Sequence, residues 1–174
     1  MKVLARSALA CFITVAFASG LSVRHSEAQS SNHLMRERIA TIFQETLKRG
    51  ETRVESDGHL ITARTFVPPS TEQVDEIRRY GEEAIPILTE YLRSENGFEQ
   101  YLAMRFLGAI GGANIIGPLA GVALSDPSPG IRSTALRWLS VSRWDLAAPI
   151  IRQAARDDSA AEVRKQAQDI LAQH

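Results

Sequence analysis

The chain has 174 residues, 44% of them hydrophobic and 23% charged, and its 20 basic residues balance 20 acidic ones. That is the size and mix of one ordinary soluble domain, long enough to bury a core of its own. Nucleic acid is disfavoured as a partner, because neutralising phosphates takes a surplus of Lys and Arg that these totals lack.

Lys2 and Arg6 make a short basic start, followed by an apolar run over residues 8–18. A membrane-spanning helix needs about 20 apolar residues, so the run fits a secretory signal instead. Cleavage after Ala18, behind Ala16-Phe17-Ala18, is preferred to a cut as late as Ala28, which would leave Arg24, His25 and Glu27 ahead of it. Removing residues 1–18 leaves 18 basic residues against 20 acidic ones. The expected product is exported, periplasmic or extracellular, with no stable membrane anchor after processing. Cys11, the only cysteine, lies inside the run. The mature chain would have none, which excludes disulfides, thiol catalysis and thiolate metal sites from it. Residues 19–31, rich in Ser, read as a flexible leader.

From Asn32 the pattern turns helical: Met35, Ile39, Ile42, Phe43 and Leu47 recur at three- and four-residue spacing, and Gly50 is a stop. Residues 51–67 shift to β-branched and aromatic types around Asp57-Gly58, a dipeptide suited to the positive φ angles of a two-residue hairpin turn. A small β-hairpin over 52–66 would set Val54 opposite Ile61 and Thr52 opposite Ala63. Pro68-Pro69 closes that segment, so residues 32–70 form an N-terminal helix and hairpin. Ser70 with Gln73 then predicts a capping box. Helices are predicted near 71–80, 82–94, 97–110, 114–125, 129–141, 146–156 and 160–173. Asn96 with Glu99 and Ser159 with Glu162 repeat the capping spacing, and Ser128 precedes Pro129.

Within residues 71–174 the same residue types return every 32 positions. Ala103, Ala135 and Ala167 share one register, Leu107, Leu139 and Leu171 another, and the bulky Phe106, Trp138 and Ile170 a third. Pro86, Pro118 and Pro149 follow nearly the same interval, each expected in the first turn of a helix, where the missing amide hydrogen costs little. Such a period marks stacked units that cannot bury their apolar faces alone.

Residues 131–141 (IRSTALRWLSV) and 163–171 (VRKQAQDIL) resemble the first helix of a short HEAT-like repeat. Residues 103–111 (AMRFLGAIG) resemble the end of that helix, and Ala84-Ile85-Pro86-Ile87-Leu88 its second one. The resemblance implies an all-α fold, a HEAT-like α-α superhelix of about three and a half helical hairpins over residues 71–174. It also implies a binding scaffold as the default, with the second helices on the inner surface. Some such proteins are lyases or glycosylases, but none of their active residues can be matched here.

Trp138 shares its register with Phe106 and Ile170, so core packing between units accounts for it. Trp144 stands in a turn where the preceding unit has Gly112, which suits either a packed turn or a contact anchor; Asp145 reads as the N-cap of the helix after it. His25, His33, His59 and His174 have no partners at metal-ligand spacing, and hairpin-turn chemistry explains Asp57 and His59 without catalysis. Glycines 108, 111, 112, 117 and 121 do not follow a strand, as a dinucleotide loop requires. No catalytic, metal or cofactor site is therefore expected. Counting four and seven residues from each register proline places Glu90 and Arg93, Val122 and Ser125, and Gln153 and Arg156 on one side of successive second helices. Glu90, Arg93, Val122, Trp144, Gln153 and Arg156 are the candidate contacts for an unknown protein partner.

The expected function is an exported, non-enzymatic interaction scaffold. The rivals are a repeat-fold enzyme of the lyase or glycosylase kind and a self-assembling structural module. A polar outer face on the last helix, formed by Arg164, Lys165, Gln168 and Asp169, favours a monomer over continued stacking. The positions that break the period, Glu99, Trp144 and the hairpin, are where a particular function is to be sought.

Overall fold

The computed structural model describes residues 29–56 and 59–174. The expected signal peptide, most of the leader and the Asp57-Gly58 turn lie outside the described residues. The chain divides into two compact units, one ending at Arg38 and the other running from Ile39 to His174.

Residues 29–49 are helical (α1). The helix thus takes in Gln29, Ser30 and Ser31, which composition alone had placed in a flexible leader; neither Pro nor Gly separates them from the periodic segment, so it propagates through them. In the first unit His33 faces Glu37 one turn on, at 3.3 Å. In the second unit Phe43 is fully buried, stacked on Tyr91 at 3.9 Å and tilted against Phe106 at 5.6 Å. This half of α1 therefore covers one end of the helical stack.

The helix ends at Gly50, whose carbonyl accepts hydrogen bonds from the Thr65 amide at 2.8 Å and hydroxyl at 3.3 Å. A Cβ at Gly50 would collide with the Thr65 carbonyl, so the close approach of the two segments requires glycine. Between them β1 (Glu51–Ser56) and β2 (His59–Arg64) pair antiparallel, with Val54 opposite Ile61 and Thr52 opposite Ala63.

Seven further α-helices follow among the described residues: α2 (Thr71–Tyr80), α3 (Ile85–Tyr91), α4 (Gly97–Ile110), α5 (Ile116–Ser125), α6 (Pro129–Ser140), α7 (Trp144–Asp157) and α8 (Ala161–Ala172). The Ser70–Gln73 capping box opens α2 with both reciprocal bonds made. Residues Gly81–Ala84 form a 3-10 turn ahead of α3, so the predicted helix over 82–94 is shorter and differently wound. Pro86 sits in the first turn of α3, but α7 begins earlier than predicted and Pro149 lies inside it. Asp145 consequently does not cap α7; its carboxylate pairs with Arg143 at 2.7 Å and 3.0 Å. Ser159 is likewise not the cap of α8: the cap position falls on Ala160, whose amide Asp158 accepts at 2.8 Å. Asn96 caps α4 through the Phe98 amide, and Glu99, instead of closing a capping box, accepts the Ser94 hydroxyl at 2.6 Å.

Helices α4, α6 and α8 form one layer and α5 and α7 the other, with α3 against α4 and α2 against α4. The alanine register belongs to the first layer: Ala103, Ala135 and Ala167 are all fully buried, small side chains suited to close helix packing. Trp138, half-buried, lies over Gly108 of the adjacent helix, where any Cβ would strike the indole. The inter-unit packing role expected for Trp138 is thus realised, and it explains one glycine of the Gly-rich unit. Gly111 and Gly112, at φ of 72° and 84°, turn the chain out of α4 in a conformation that other residues rarely adopt.

A second, polar register runs beside the apolar one. Arg132 donates through Nη1 to the Asp126 carbonyl at 2.8 Å, and through Nε and Nη2 to the Asp158 carboxylate at 2.8 Å and 2.7 Å. Gln100, 32 residues earlier, donates through Nε2 to the Leu92 carbonyl at 3.1 Å and to the Asp126 carboxylate at 2.8 Å. Arg164, 32 residues later, reaches the Asp158 and Ser159 carbonyls at 2.6 Å and 3.0 Å. Each rung satisfies carbonyls of its own preceding turn, and the first two also hold the carboxylate of the next.

Candidate interaction surface

Where the N-terminal ends of α4 and α6 lie side by side, an open groove of about 790 Å³ is walled by Phe66, Phe98, Tyr101 and Ile131. Phe66 comes from the segment that follows β2, Phe98 and Tyr101 from the first turns of α4, and Ile131 from the first turn of α6. The Phe66 ring meets Tyr101 edge-on at 4.3 Å and lies parallel to Phe98 at 6.4 Å. Phe66 is 37% exposed, a large apolar side chain left in contact with water. The groove's rim consists of the turns Ser94–Asn96 and Asp126–Ser128. Its polar groups are largely engaged: Asn96 and Ser128 cap the two helices, and Asp126 accepts from Ser128 N and Gln100 Nε2.

A second groove, of about 510 Å³, runs between α3 and α5 and shares Ser94, Glu95, Gln100, Asp126 and Pro127 with the first. Thr89, Leu92 and Arg93 form one wall, and Gly117, Pro118, Gly121, Val122 and Ser125 the other. Three of the residues selected by counting from the prolines, Arg93, Val122 and Ser125, meet here. Val122 is only 8% exposed and forms part of the floor, because the α5 surface is carried instead by Gly117, Gly121 and Ser125. Glu90 is exposed on α3, and Gln153 and Arg156 are exposed on α7; they line neither groove. Trp144 is half-buried, with its ring stacked on His174 at 3.9 Å and 16°. Its contact is thus with an aromatic neighbour across the α7–α8 pair.

Phe66, Phe98 and Tyr101 escaped the positional count, yet the repeat itself carried a signal for two of them. Phe98 corresponds to Gly130 and Glu162 in later units, and Tyr101 to Ser133 and Lys165. An aromatic at a position where sister units carry small or charged residues is not required by the common core. Together with Glu99 between them, these exceptions fall on one short stretch.

Four of the perturbed titrating groups lie in arginine–carboxylate pairs of the scaffold, and the fifth, Glu72 in the first turn of α2, is lowered by hydrogen bonds from the backbone and from the Ser70 side chain. Hydrogen bonding to Arg132 holds the Asp158 carboxyl below its usual range despite burial, and Asp158 raises Arg132 in return. Arg143 and Asp145 shift each other the same way at an exposed turn. Among the described residues no helix is long and apolar enough to cross a membrane, and no group of three His, Asp or Glu side chains is placed to hold a metal ion.

Paired helices in two layers, repeating at a 32-residue interval and tied from turn to turn by a polar ladder, define an α-α repeat array. The profile of HEAT repeats matches residues 85–172, half of the chain, and the chain belongs to that family. HEAT repeats generally mediate protein–protein interaction. No curated protein and no solved structure matches the chain.

Proposed function

We propose that this protein is an exported, non-enzymatic HEAT-repeat scaffold that holds a partner protein at the groove between the ends of α4 and α6, in the periplasm or outside the cell. The observation that carries this reading is the aromatic wall of Phe66, exposed after β2, with the half-exposed Phe98 and Tyr101 of α4. Interface anchors are enriched in such side chains because they cover much area for few rotatable bonds. Export is supported by the basic start and the apolar run over residues 8–18. A non-enzymatic role is supported by where the shifted groups lie: two arginine–carboxylate bridges and Glu72 in the first turn of α2, all outside the groove.

The test is a photo-crosslinking residue at position 66 of the full chain expressed in its own cells. A discrete adduct with a second protein, lost when Phe98→Ala is added, is the expected result. Crosslinking unaffected by Phe98→Ala would remove the groove from the interface. Mass spectrometry of the recovered protein reports export: a mature start at Ser19 or Gln29 supports it, and an intact Met1 refutes it.

A further inference from the structure

We infer that the partner segment held in this groove is a basic peptide, with an apolar side chain against Phe66, Phe98 and Tyr101 and an Arg or Lys side chain against Glu95 and Asp126. The inference rests on the scaffold reading above and adds the chemistry of the occupant.

Charge at the groove has one sign. Of the residues lining it, the only ionisable side chains apart from the Tyr101 phenol are Glu95 and Asp126, and both are acids. Glu95 is exposed on the turn before α4. Asp126 spends its two oxygens on neutral donors, the Ser128 amide and the Gln100 side chain, each at 2.8 Å, so its charge is not cancelled there. Arg132 donates to the Asp126 and Pro127 carbonyls and commits its other nitrogens to the Asp158 carboxylate. The setting is acidic as well: residues 65–126 hold 9 acidic and 4 basic side chains, although the whole chain is balanced.

An anionic occupant is disfavoured twice, by these carboxylates and by the caps. Asn96 Oδ1 and Ser128 Oγ already take the amides of Phe98 and Ile131, the groups at the two helix ends that would otherwise bind an anion. A cation gains on both counts. Carboxylates at the lip pair with it, and aromatic faces attract it through their electron-rich π surface. The methylene stem of Lys or Arg covers apolar surface while its head stays at the rim.

Fluorescence anisotropy of three labelled, end-capped tetrapeptides against the full chain tests the inference: Leu-Arg-Phe-Arg, Leu-Gln-Phe-Gln and Leu-Glu-Phe-Glu. The Arg peptide is expected to bind at least tenfold more tightly than the Gln peptide, and the Glu peptide more weakly than either. Raising salt should erase most of that preference. Glu95→Gln, a surface change that spares the fold, should cut the Arg preference several-fold, and Phe98→Ala should weaken both Arg and Gln peptides. Equal binding of all three peptides, with the loss in Phe98→Ala retained, overturns the charge assignment and leaves the scaffold reading standing. Binding by none overturns the inference, and the crosslink at position 66 then decides the scaffold reading separately.

Discussion

Asp158→Ala isolates the strongest polar contact of the stack. The Arg132 and Asp158 side chains are 8% and 4% exposed, and two charge-assisted bonds of 2.7 Å and 2.8 Å join them. Deleting the acid leaves a buried guanidinium with only the Asp126 and Pro127 carbonyls, and it removes the acceptor of the Ala160 amide. Breaking one side of a buried pair costs about 3–5 kcal/mol, a large share of the roughly 5–15 kcal/mol that holds a domain of this kind together. At about 3 °C per kcal/mol for a chain of this length, the melting midpoint should fall by about 10 °C. Thermal and urea melts of the wild type, Asp158→Ala, Arg132→Met and the double variant form a cycle, in which the double should recover at least about 1 kcal/mol relative to additivity. The same pair sets an acid limit. Arg132 favours the ionised Asp158 in the folded state, so the stabilisation is fully present above the unfolded carboxyl's value near about pH 4 and is lost as pH falls through the lower folded value. Asp158→Asn should flatten that acid loss. A midpoint for Asp158→Ala within about 3 °C of wild type, or strict additivity in the cycle, would refute the argument.

Three other substitutions probe the packing. Gly108→Ala should destabilise by about 1–2 kcal/mol despite its better helix propensity, because the added methyl meets the Trp138 ring. Calorimetry should show the loss recovered in Gly108→Ala/Trp138→Leu. Phe43→Ala should cost about 3–5 kcal/mol, since the ring is fully buried between Tyr91 and Phe106, and proteolysis should then begin near the α1 end of the stack. Gln100→Arg should raise stability by about 1 kcal/mol, by giving Asp126 the partner that Asp158 already has, and chemical melts measure it.

The 32-residue period makes most of the stack legible in the sequence, because burial of a repeated apolar face leaves a repeated sequence. Ala103, Ala135, Ala167, Leu107 and Leu139 are buried as their register requires. Helix ends were read less well at Asp145 and Ser159. Both carry cap-forming chemistry, but neither α7 nor α8 has a side-chain cap: Asp145 is taken up by Arg143, and the cap position of α8 falls one residue after Ser159, on Ala160. Val122 lines the groove between α3 and α5 but is only 8% exposed, because on α5 the surface there is carried by Gly117, Gly121 and Ser125. The groove was legible only in part. Phe98 and Tyr101 can be found by comparing units, but Phe66 reaches them from outside the repeat, a contact that no periodicity encodes.

The two registers together explain why the groove lies where it does. At positions 132 and 164 the ladder uses arginine, and between those units the chain is tied by a buried, neutralised pair. At position 100 it uses glutamine, which makes the same two contacts without supplying a charge. Asp126 therefore keeps its negative charge at the surface beside Phe98 and Tyr101, the positions where this unit departs from its sisters. A weaker rung and an aromatic wall occur in one unit, and each is costly to the stack on its own: the rung gives up an ion pair, and the wall exposes apolar area to water. Their coincidence is economical only if the carboxylate and the rings serve a common ligand. That is the physical reason to seek the partner's contact at the α4 end, ahead of the exposed polar residues of α7.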